Sequence, residues 1–246
     1  MSARDWQLAT VKEIRPETPH VKSFVLALPH WTRHQAGQHY DLRLTAEGGY
    51  QAERSYSIAS PPEQVGEIEL TVEIIPDGEV SGYLAEGVQV GDQLEVRGPI
   101  GGYFVWPGLP DAPPLLLVAG GSGVVPLMSM LRHRQHLGLR TPAALLFSVR
   151  TPEEVIYQAE LEALAQADDT FTLLLDYTRQ APPGWMGYQR RVDEAMLREV
   201  VARFAQAPQA FVCGPTGLVE AVANGLQAAD LPPEQILTER FGPTGG

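Results

Sequence analysis

The chain of 246 residues holds a single cysteine, Cys213. One thiol cannot build a disulfide framework, a cysteine-ligated iron–sulfur cluster or a cysteine zinc site within the chain. It is compatible with a reducing, cytoplasmic setting. Basic runs are missing too. With 18 basic against 30 acidic residues the net charge is −12, and both halves of the chain are acidic. Nucleic acid and anionic membrane surfaces are therefore not expected partners. The N-terminal MSARDWQLAT lacks the apolar core of a signal peptide. One uncharged window, residues 112–131, has membrane-span length. Gly120, Gly121, Ser122, Gly123 and Pro126 interrupt its centre and divide it into a short strand and a helix start. No internal repeat and no low-complexity tract is present.

With 44% hydrophobic and 20% charged residues, the chain can bury an ordinary globular core. Its two halves differ in pattern. In residues 1–105 apolar and polar residues alternate, as in EIELTVEII, where Ile68, Leu70, Val72 and Ile74 share one face, and in HYDLRL, where Tyr40, Leu42 and Leu44 do. Turn signals recur at Gly48-Gly49, Pro61-Pro62, Asp77-Gly78, Gly91-Asp92 and Gly98-Pro99. Short strands with frequent turns predict an antiparallel β-barrel. From residue 114 continuous apolar runs appear (PLLLVA, AALLFSV, FTLLLD, AFVC), separated by helical patterns. Such runs suit parallel strands buried on both faces, and their alternation with helices predicts a doubly wound α/β sheet. One helix is expected over TPEEVIYQAELEAL, with Thr151 as N-cap, Pro152 in the first position and Glu154 closing a capping box. Another is expected from Pro215, with Leu218, Val222 and Leu226 on one face. The boundary falls in the proline-rich WPGLPDAPP, residues 106–114.

Several short stretches can carry chemistry. In VAGGSGVVP a buried strand runs into Gly121, Ser122 and Gly123 and then a helix; the backbone amides there can approach a pyrophosphate. The same turn also serves as a tight connection with no ligand. In RSYS, Arg54 can grip phosphate, Tyr56 offers a stacking face, and Ser55 and Ser57 offer hydroxyls. An edge strand with a solvated arginine reads the same. GEVSGYL places Gly78 and Ser81 where amides can meet phosphate, or simply turns into a short helix. FVCGP sets Cys213, Gly214 and Pro215 at the C-terminal end of a buried strand, where open α/β sheets bind ligands; a buried core cysteine is the plainer reading. TERFG ends the chain region with a carboxylate, a cation and an aromatic ring, or a solvated tail.

Taken in order, GQHYDLRL, RSYSIAS, GEVSGYL, GPIGGYF, GGSGVVP, FVCGP and ERFG resemble the ferredoxin–NADP(H) reductase superfamily over residues 5–242. The nearest likeness is to the flavin/nicotinamide modules of oxygenase reductases and of bacterial ferredoxin or flavodoxin reductases. The resemblance implies an FAD-binding barrel over residues 1–108 and an NAD(P)H-binding α/β domain over 113–246, with FMN the less favoured flavin. Arg54 would pair with flavin phosphate, Tyr56 would stack on the ring system, and Ser57 would reach its reactive nitrogen, with Ser55 in the same strand. Thr71, Val72 and Glu73 match the strand lining the flavin. Glu73 stands where relatives often carry a cation, so only backbone contact carries over there. Gly78, Glu79, Val80 and Ser81 match the pyrophosphate loop. Gly121, Ser122 and Gly123 would face the dinucleotide, and Gly214 and Pro215 would lie beside it. Arg150 and the pair Thr178-Arg179 follow the second and third parallel strands; such a pair resembles those that clasp the 2′-phosphate of NADPH, which favours NADPH over NADH. Ser57, Cys213 and Glu239 match three residues around the hydride-transfer centre and are expected to converge, and Phe241 would cover the flavin.

The activity this implies is hydride transfer from NADPH to FAD. Electrons would then pass to a separate acceptor: a ferredoxin, a flavodoxin or an oxygenase component. A monomer or weak dimer is expected. An NADH-preferring oxygenase reductase, a free-flavin reductase and a cofactor-binding docking subunit remain the alternatives.

Overall fold

The computed structural model describes residues 5–46 and 48–241. The chain divides into two compact units, residues 1–107 with 128–137 and residues 108–127 with 138–246.

The first unit is a six-stranded antiparallel sheet in the order β4-β3-β6-β1-β2-β5. Its strands are β1 (Gln7–Thr18), β2 (Val21–Ala27), β3 (His39–Thr45), β4 (Gln51–Ser57), β5 (Glu67–Glu73) and β6 (Gln93–Ile100), with helix α1 (Glu79–Glu86) between β5 and β6. The alternating residues do what their period requires. Tyr40, Leu42, Ile68, Leu70 and Val72 enter one core, with Val80 and Leu84 of α1 packed on it. On the outer face Arg43 forks onto Glu95 at 2.8 and 3.0 Å. The Trp6 ring lies under the Arg43 and Arg97 guanidinium groups. Ile58, the residue after β4, forms an isolated bridge with Leu70 of β5, so the two ends of the sheet meet.

Helix α2 (Val124–His136) contributes its second half to this unit. Ser129 donates to the Ser60 carbonyl at 2.7 Å, and Arg132 donates to the Ala59 carbonyl and to Glu69 at 3.0 and 2.9 Å. Glu69 is buried and also accepts from Arg15. A buried carboxylate of this kind is tolerable because two guanidinium groups neutralise it.

The second unit is a five-stranded parallel sheet in the order β11-β10-β7-β8-β9. It comprises β7 (Leu115–Gly120), β8 (Ala143–Val149), β9 (Phe171–Tyr177), β10 (Gln209–Pro215) and β11 (Ile236–Phe241). Helices α3 (Gln158–Ala167), α4 (Glu194–Val201) and α5 (Thr216–Ala228) intervene. Every residue of β7 and of β8 is buried, as a central parallel sheet demands. The chain runs outward from β7 through β8 to β9, then returns to the other side of β7 with β10. The strand order therefore reverses between β7 and β10.

The helix expected over residues 151–164 is two pieces. Pro152–Glu154 form a single 3-10 turn, Thr151 makes no capping bond, and α3 starts only after Tyr157, whose φ is 59°. Val155, Ile156 and Tyr157 are buried between the pieces, where the chain passes through an extended Val155 and a left-handed Tyr157 instead of continuing the helix. Glu154 reaches back to the Arg150 backbone N–H and guanidinium, not to Thr151. No helix among the described residues is long and apolar enough to cross a membrane.

Candidate functional site

In the first unit the predicted flavin residues lie on β4, β5 and α1. β4 pairs with β3 so that Arg54 stands opposite Leu42, Tyr56 opposite Tyr40 and Ser57 opposite His39. Arg54 is exposed and donates to the Glu53 carbonyl at 2.7 Å. Tyr56 is half-buried against the core, and burial pushes its phenol up to about 12, with Arg54 pulling the other way. Ser55 points to the opposite side of the strand, and its hydroxyl donates to Asp41 at 2.6 Å. Asp41 also accepts from Arg97 at 2.6 Å. Burial acts to raise the Asp41 carboxyl, but the Ser55 and Arg97 bonds outweigh it and hold the group below its ordinary value.

On β5 the side chains face inward or across to β2. Ser23 donates to Glu17 at 2.7 Å, so at its 2.7 Å contact with Thr71 it accepts from the Thr71 hydroxyl. Val72 is in the core and Glu73 is half-buried at the strand end. The Thr71 and Val72 side chains are thus committed to contacts within the unit. At α1, the Ser81 hydroxyl accepts from Ile75 N–H at 3.2 Å and closes the preceding loop. A Cβ on Gly78 would stand 2.4 Å from that hydroxyl and 2.9 Å from the Ile75 carbonyl, so only glycine fits. Gly78 begins the helix without a side-chain cap. The first-turn N–H groups of Glu79, Val80 and Ser81 have no acceptor within the helix. Tyr50 on the β3–β4 hairpin donates to the Glu79 carboxylate at 3.2 Å, a contact with no signal in the sequence.

In the second unit the GGSG and CGP stretches come together at the reversal of strand order. Gly121–Gly123 form a 3-10 turn after β7 and lead directly into α2. A Cβ on Gly123 would lie 2.1 Å from the Cys213 carbonyl oxygen and 2.8 Å from the Gly214 nitrogen. A Cβ on Gly214 would lie 3.1 Å from the Gly120 nitrogen, and one on Gly120 would lie 3.1 Å from Pro215. Two backbones thus touch where ligands bind in open α/β sheets, outside the carboxyl ends of the strands at the switch point. Gly121, at φ +53°, has open space where its Cβ would stand, and Ser122 is half-buried beside it.

Cys213 pairs in parallel register with Glu239, and Pro215 with Phe241. The Cys213 thiol is buried, and its pKa is pushed up, first by burial and then by Glu239. Burial raises the Glu239 carboxyl to about 7, and its Oε2 is buried without a hydrogen-bond partner among the described residues. Phe241 is half-buried; Gly242, last in the ERFG motif, lies outside the described residues. At the far strands, Arg150 pairs with Glu154 at 2.7 Å, and the Thr178 hydroxyl donates to the Val149 carbonyl at 3.2 Å. Arg179 is exposed, with its backbone N–H on the Arg150 carbonyl.

These features admit a flavin and a nicotinamide dinucleotide. Each unit has a helix start without a side-chain cap, one beside an exposed arginine strand and one at the switch point. The Glu239 oxygen lacks a donor that a bound group can supply. A six-stranded antiparallel barrel and a parallel sheet with a glycine turn at its switch point define a flavin- and nicotinamide-dependent oxidoreductase.

Known proteins agree. Residues 8–105 match the oxidoreductase FAD-binding domain and residues 117–224 the oxidoreductase NAD-binding domain. Ferredoxin–NADP reductase B of Sorangium cellulosum is 34% identical over 241 residues, 95% of this chain and 96% of its own length. The reductase component of propane 2-monooxygenase from Rhodococcus jostii is 29% identical over 94% of this chain, which spans 62% of that protein. The crystal structure of a ferredoxin NADP+ reductase from Neisseria gonorrhoeae with bound FAD and NADP superposes with TM-score 0.80 at 25% identity, covering 96% of this chain and 98% of that one. The chain belongs to the ferredoxin reductase family of FAD- and NAD(P)-binding oxidoreductases.

Proposed function

We propose that this NAD(P)H-dependent flavin oxidoreductase takes hydride from NADPH into FAD and delivers the electrons to a separate protein acceptor, a ferredoxin, a flavodoxin or an oxygenase component. The observation that carries the reading is the backbone contact of Gly123 with Cys213 and Gly214 at the switch point, one strand from the unpartnered Glu239 oxygen. FAD, when bound, supplies the capacity to accept a hydride and release electrons one at a time. The chain's own residues position and shield. Arg54 and the first-turn amides of Glu79, Val80 and Ser81 hold phosphate. Tyr56 offers its ring, and Thr71, Val72 and Glu73 offer backbone groups. The amides of Gly121, Ser122 and Gly123, with Gly214 and Pro215 beside them, hold the dinucleotide. Ser57, Cys213 and Glu239 serve the hydride-transfer centre, and Phe241 covers the flavin until nicotinamide arrives.

NADPH is preferred over NADH on one further observation. The acid at the end of the third parallel strand, Asp176, is buried, so it offers no exposed carboxylate to ribose hydroxyls, whereas Arg179 is exposed. The oxygenase reductase relatives support a second reading, a reductase component of an oxygenase system, and with it the NADH preference that the sequence left as the alternative is tested. Purified protein titrated anaerobically with each nucleotide tests both: a yellow spectrum bleached faster by NADPH is expected. A colourless preparation with no flavin on denaturation would refute the proposal, and faster bleaching by NADH would select the second reading. A yellow protein that neither nucleotide bleaches would instead be a docking subunit.

A further inference from the structure

Strands β4 and β5 carry residues assigned to the flavin, yet they are the outermost strands of their sheet, with four others between them in its order. They share no ladder among the described residues. They are joined where the chain leaves β4: Ile58 bridges Leu70, and Ala59 N–H donates to the Glu69 carbonyl at 2.8 Å. Glu69 N–H in turn donates to the Ser60 hydroxyl at 3.0 Å. Helix α2 straps this junction. One nitrogen of Arg132, Nη1, donates to the Ala59 carbonyl at 3.0 Å and to the Glu69 carboxylate at 2.9 Å, so a single group holds the exit of β4 and the body of β5. Ser129, on the same helix, donates to the Ser60 carbonyl at 2.7 Å, which also accepts from His34 Nε2 at 3.0 Å. Ser60 and Ser129 are fully buried and the Arg132 side chain is 13% exposed, so these bonds act out of water. Ala59 lies two residues beyond Ser57, and Glu69 two residues before Thr71. Arg15, on β1, binds the other oxygen of the same Glu69 carboxylate; its remaining ion pairs are to Glu13 and Glu17, so it leaves the exit of β4 untouched.

We propose that Arg132, assisted by Ser129, is the positioning residue that fixes the spacing of β4 and β5 and thereby holds the Ser57 hydroxyl at the hydride-transfer centre. This rests on the reading of Ser57 given above. Two strands without a shared ladder can drift apart, and a hydroxyl that must meet one ring nitrogen tolerates little drift: a displacement of about 1 Å costs on the order of 10²-fold in rate. A buried guanidinium bonded to both strands removes that freedom, because releasing it leaves the Ala59 carbonyl unmatched and Glu69 with one cation in place of two. Arg132 therefore acts through the backbone of residues 58–60, not by touching the flavin.

The test uses the purified flavoprotein with Arg132→Ala, Arg132→Lys, Ser129→Ala, Arg15→Ala, Ser57→Ala and the double variant of Arg132→Ala with Ser57→Ala. Rapid-mixing reduction by NAD(P)H separates KM from the limiting rate, and amide hydrogen exchange reads the Ala59 N–H directly. Arg132→Ala is expected to lower the limiting rate about tenfold, to leave KM within about twofold, and to speed exchange at Ala59. Arg132→Lys keeps a cation and should restore most of both effects. Ser129→Ala should show both in smaller measure, and it decides the matter if Arg132→Ala does not fold. Arg15→Ala should lower the unfolding temperature yet leave the limiting rate within about twofold and Ala59 exchange as in wild type. Once Ser57 is alanine, adding Arg132→Ala should cost less than about twofold more in rate, since the hydroxyl it positions is gone. Equal rate losses in Arg15→Ala and Arg132→Ala, or an undiminished loss on the Ser57→Ala background, overturn the positioning role. Unchanged Ala59 exchange in Arg132→Ala overturns the strap itself. A Ser57→Ala variant reduced as fast as wild type defeats the reading of Ser57 and leaves the strap to be decided by Ala59 exchange.

Discussion

Gly123 stands so close to β10 that a Cβ on it would lie 2.1 Å from the carbonyl oxygen of Cys213. That oxygen belongs to a strand paired on both sides, with β7 and with β11, so it has nowhere to retreat. Gly121, two residues earlier, differs: its Cβ would meet nothing within 4 Å, and only its φ of +53° resists a side chain. Gly123→Ala is therefore expected to lower stability by about 1–3 kcal/mol through overpacking and to abolish dinucleotide binding. Gly121→Ala should lower stability by ~1 kcal/mol and still weaken binding, because its methyl group enters the open space beside the turn. Thermal unfolding with and without NADPH separates the two. Equal stability loss would show that the close approach to Cys213 is not the constraint.

Cys213 and Glu239 are neighbours across β10 and β11, and the pair gives a pH signature. Glu239 keeps its proton in the folded protein up to about 7, whereas the unfolded chain releases it near the ordinary value of 4.5. The folded state thus binds more protons over that interval, and this group makes stability fall as pH rises from about 4.5 to 7, then level off. Glu239→Gln removes the decline. Relative to wild type it is expected to be more stable at pH 8 by on the order of 2–3 kcal/mol and equal at pH 4. Denaturant unfolding at the two pH values checks this. An identical pH slope in the variant would mean that the carboxyl is hydrated and ordinary.

The flavin half yields a contrast between Arg54 and Thr71. Arg54 is exposed and its side chain bonds its neighbour's carbonyl, so Arg54→Ala should leave stability within about 0.5 kcal/mol. If it grips phosphate, the purified variant should lose most of its flavin. Thr71 makes a buried bond to Ser23, so Thr71→Val should destabilise by ~1 kcal/mol while retaining flavin, since its hydroxyl is turned to Ser23. Flavin content and unfolding midpoint measured together decide; flavin loss in Thr71→Val at unchanged stability would place its hydroxyl on the cofactor.

Much of this architecture follows from local pattern. Alternation at Tyr40, Leu42, Leu70 and Val72 marks strands with one buried face, and the unbroken LLLVA and AALLF runs mark strands buried on both. Glycine spacing locates the turn at Gly121–Gly123. The misplaced helix start shows where local pattern fails: Thr151 to Glu154 carries the capping signature, but burial of Val155, Ile156 and Tyr157 breaks the helix with an extended residue and a left-handed turn. Tertiary packing outweighs a capping preference of about 1 kcal/mol. Strand order is likewise invisible in a linear reading, so the contact of Gly123 with Cys213, ninety residues apart in the chain, emerges only from the sheet. The same holds for Asp176, which reads as a strand-ending acid until Arg190 N–H is found on it.

His34 supplies a prediction of the opposite sign to that of Glu239. It is buried, and its Nε2 lies 3.0 Å from the Ser60 carbonyl. A carbonyl only accepts, so Nε2 carries the proton and Nδ1 is a buried acceptor with no hydrogen-bond partner among the described residues. Burial lowers the imidazole pKa from 6.5 to about 4, against a smaller opposing pull from the Ser60 bond and Glu63. The unfolded chain binds its proton first as pH falls, so this group makes stability drop between about pH 6.5 and 4. His34→Gln keeps an N–H for Ser60 and cannot titrate. It should flatten that acid-side loss, recovering on the order of 2–3 kcal/mol at pH 4 relative to its own deficit at pH 7.5. Because Glu239 acts in the other direction over nearly the same interval, the wild-type slope is partly cancelled, and Glu239→Gln alone should steepen it. Unfolding free energies of wild type, each single variant and the double variant, taken at pH 4, 6 and 7.5, resolve the two groups. Single variants that each keep the wild-type pH slope would show that neither residue titrates as its burial dictates.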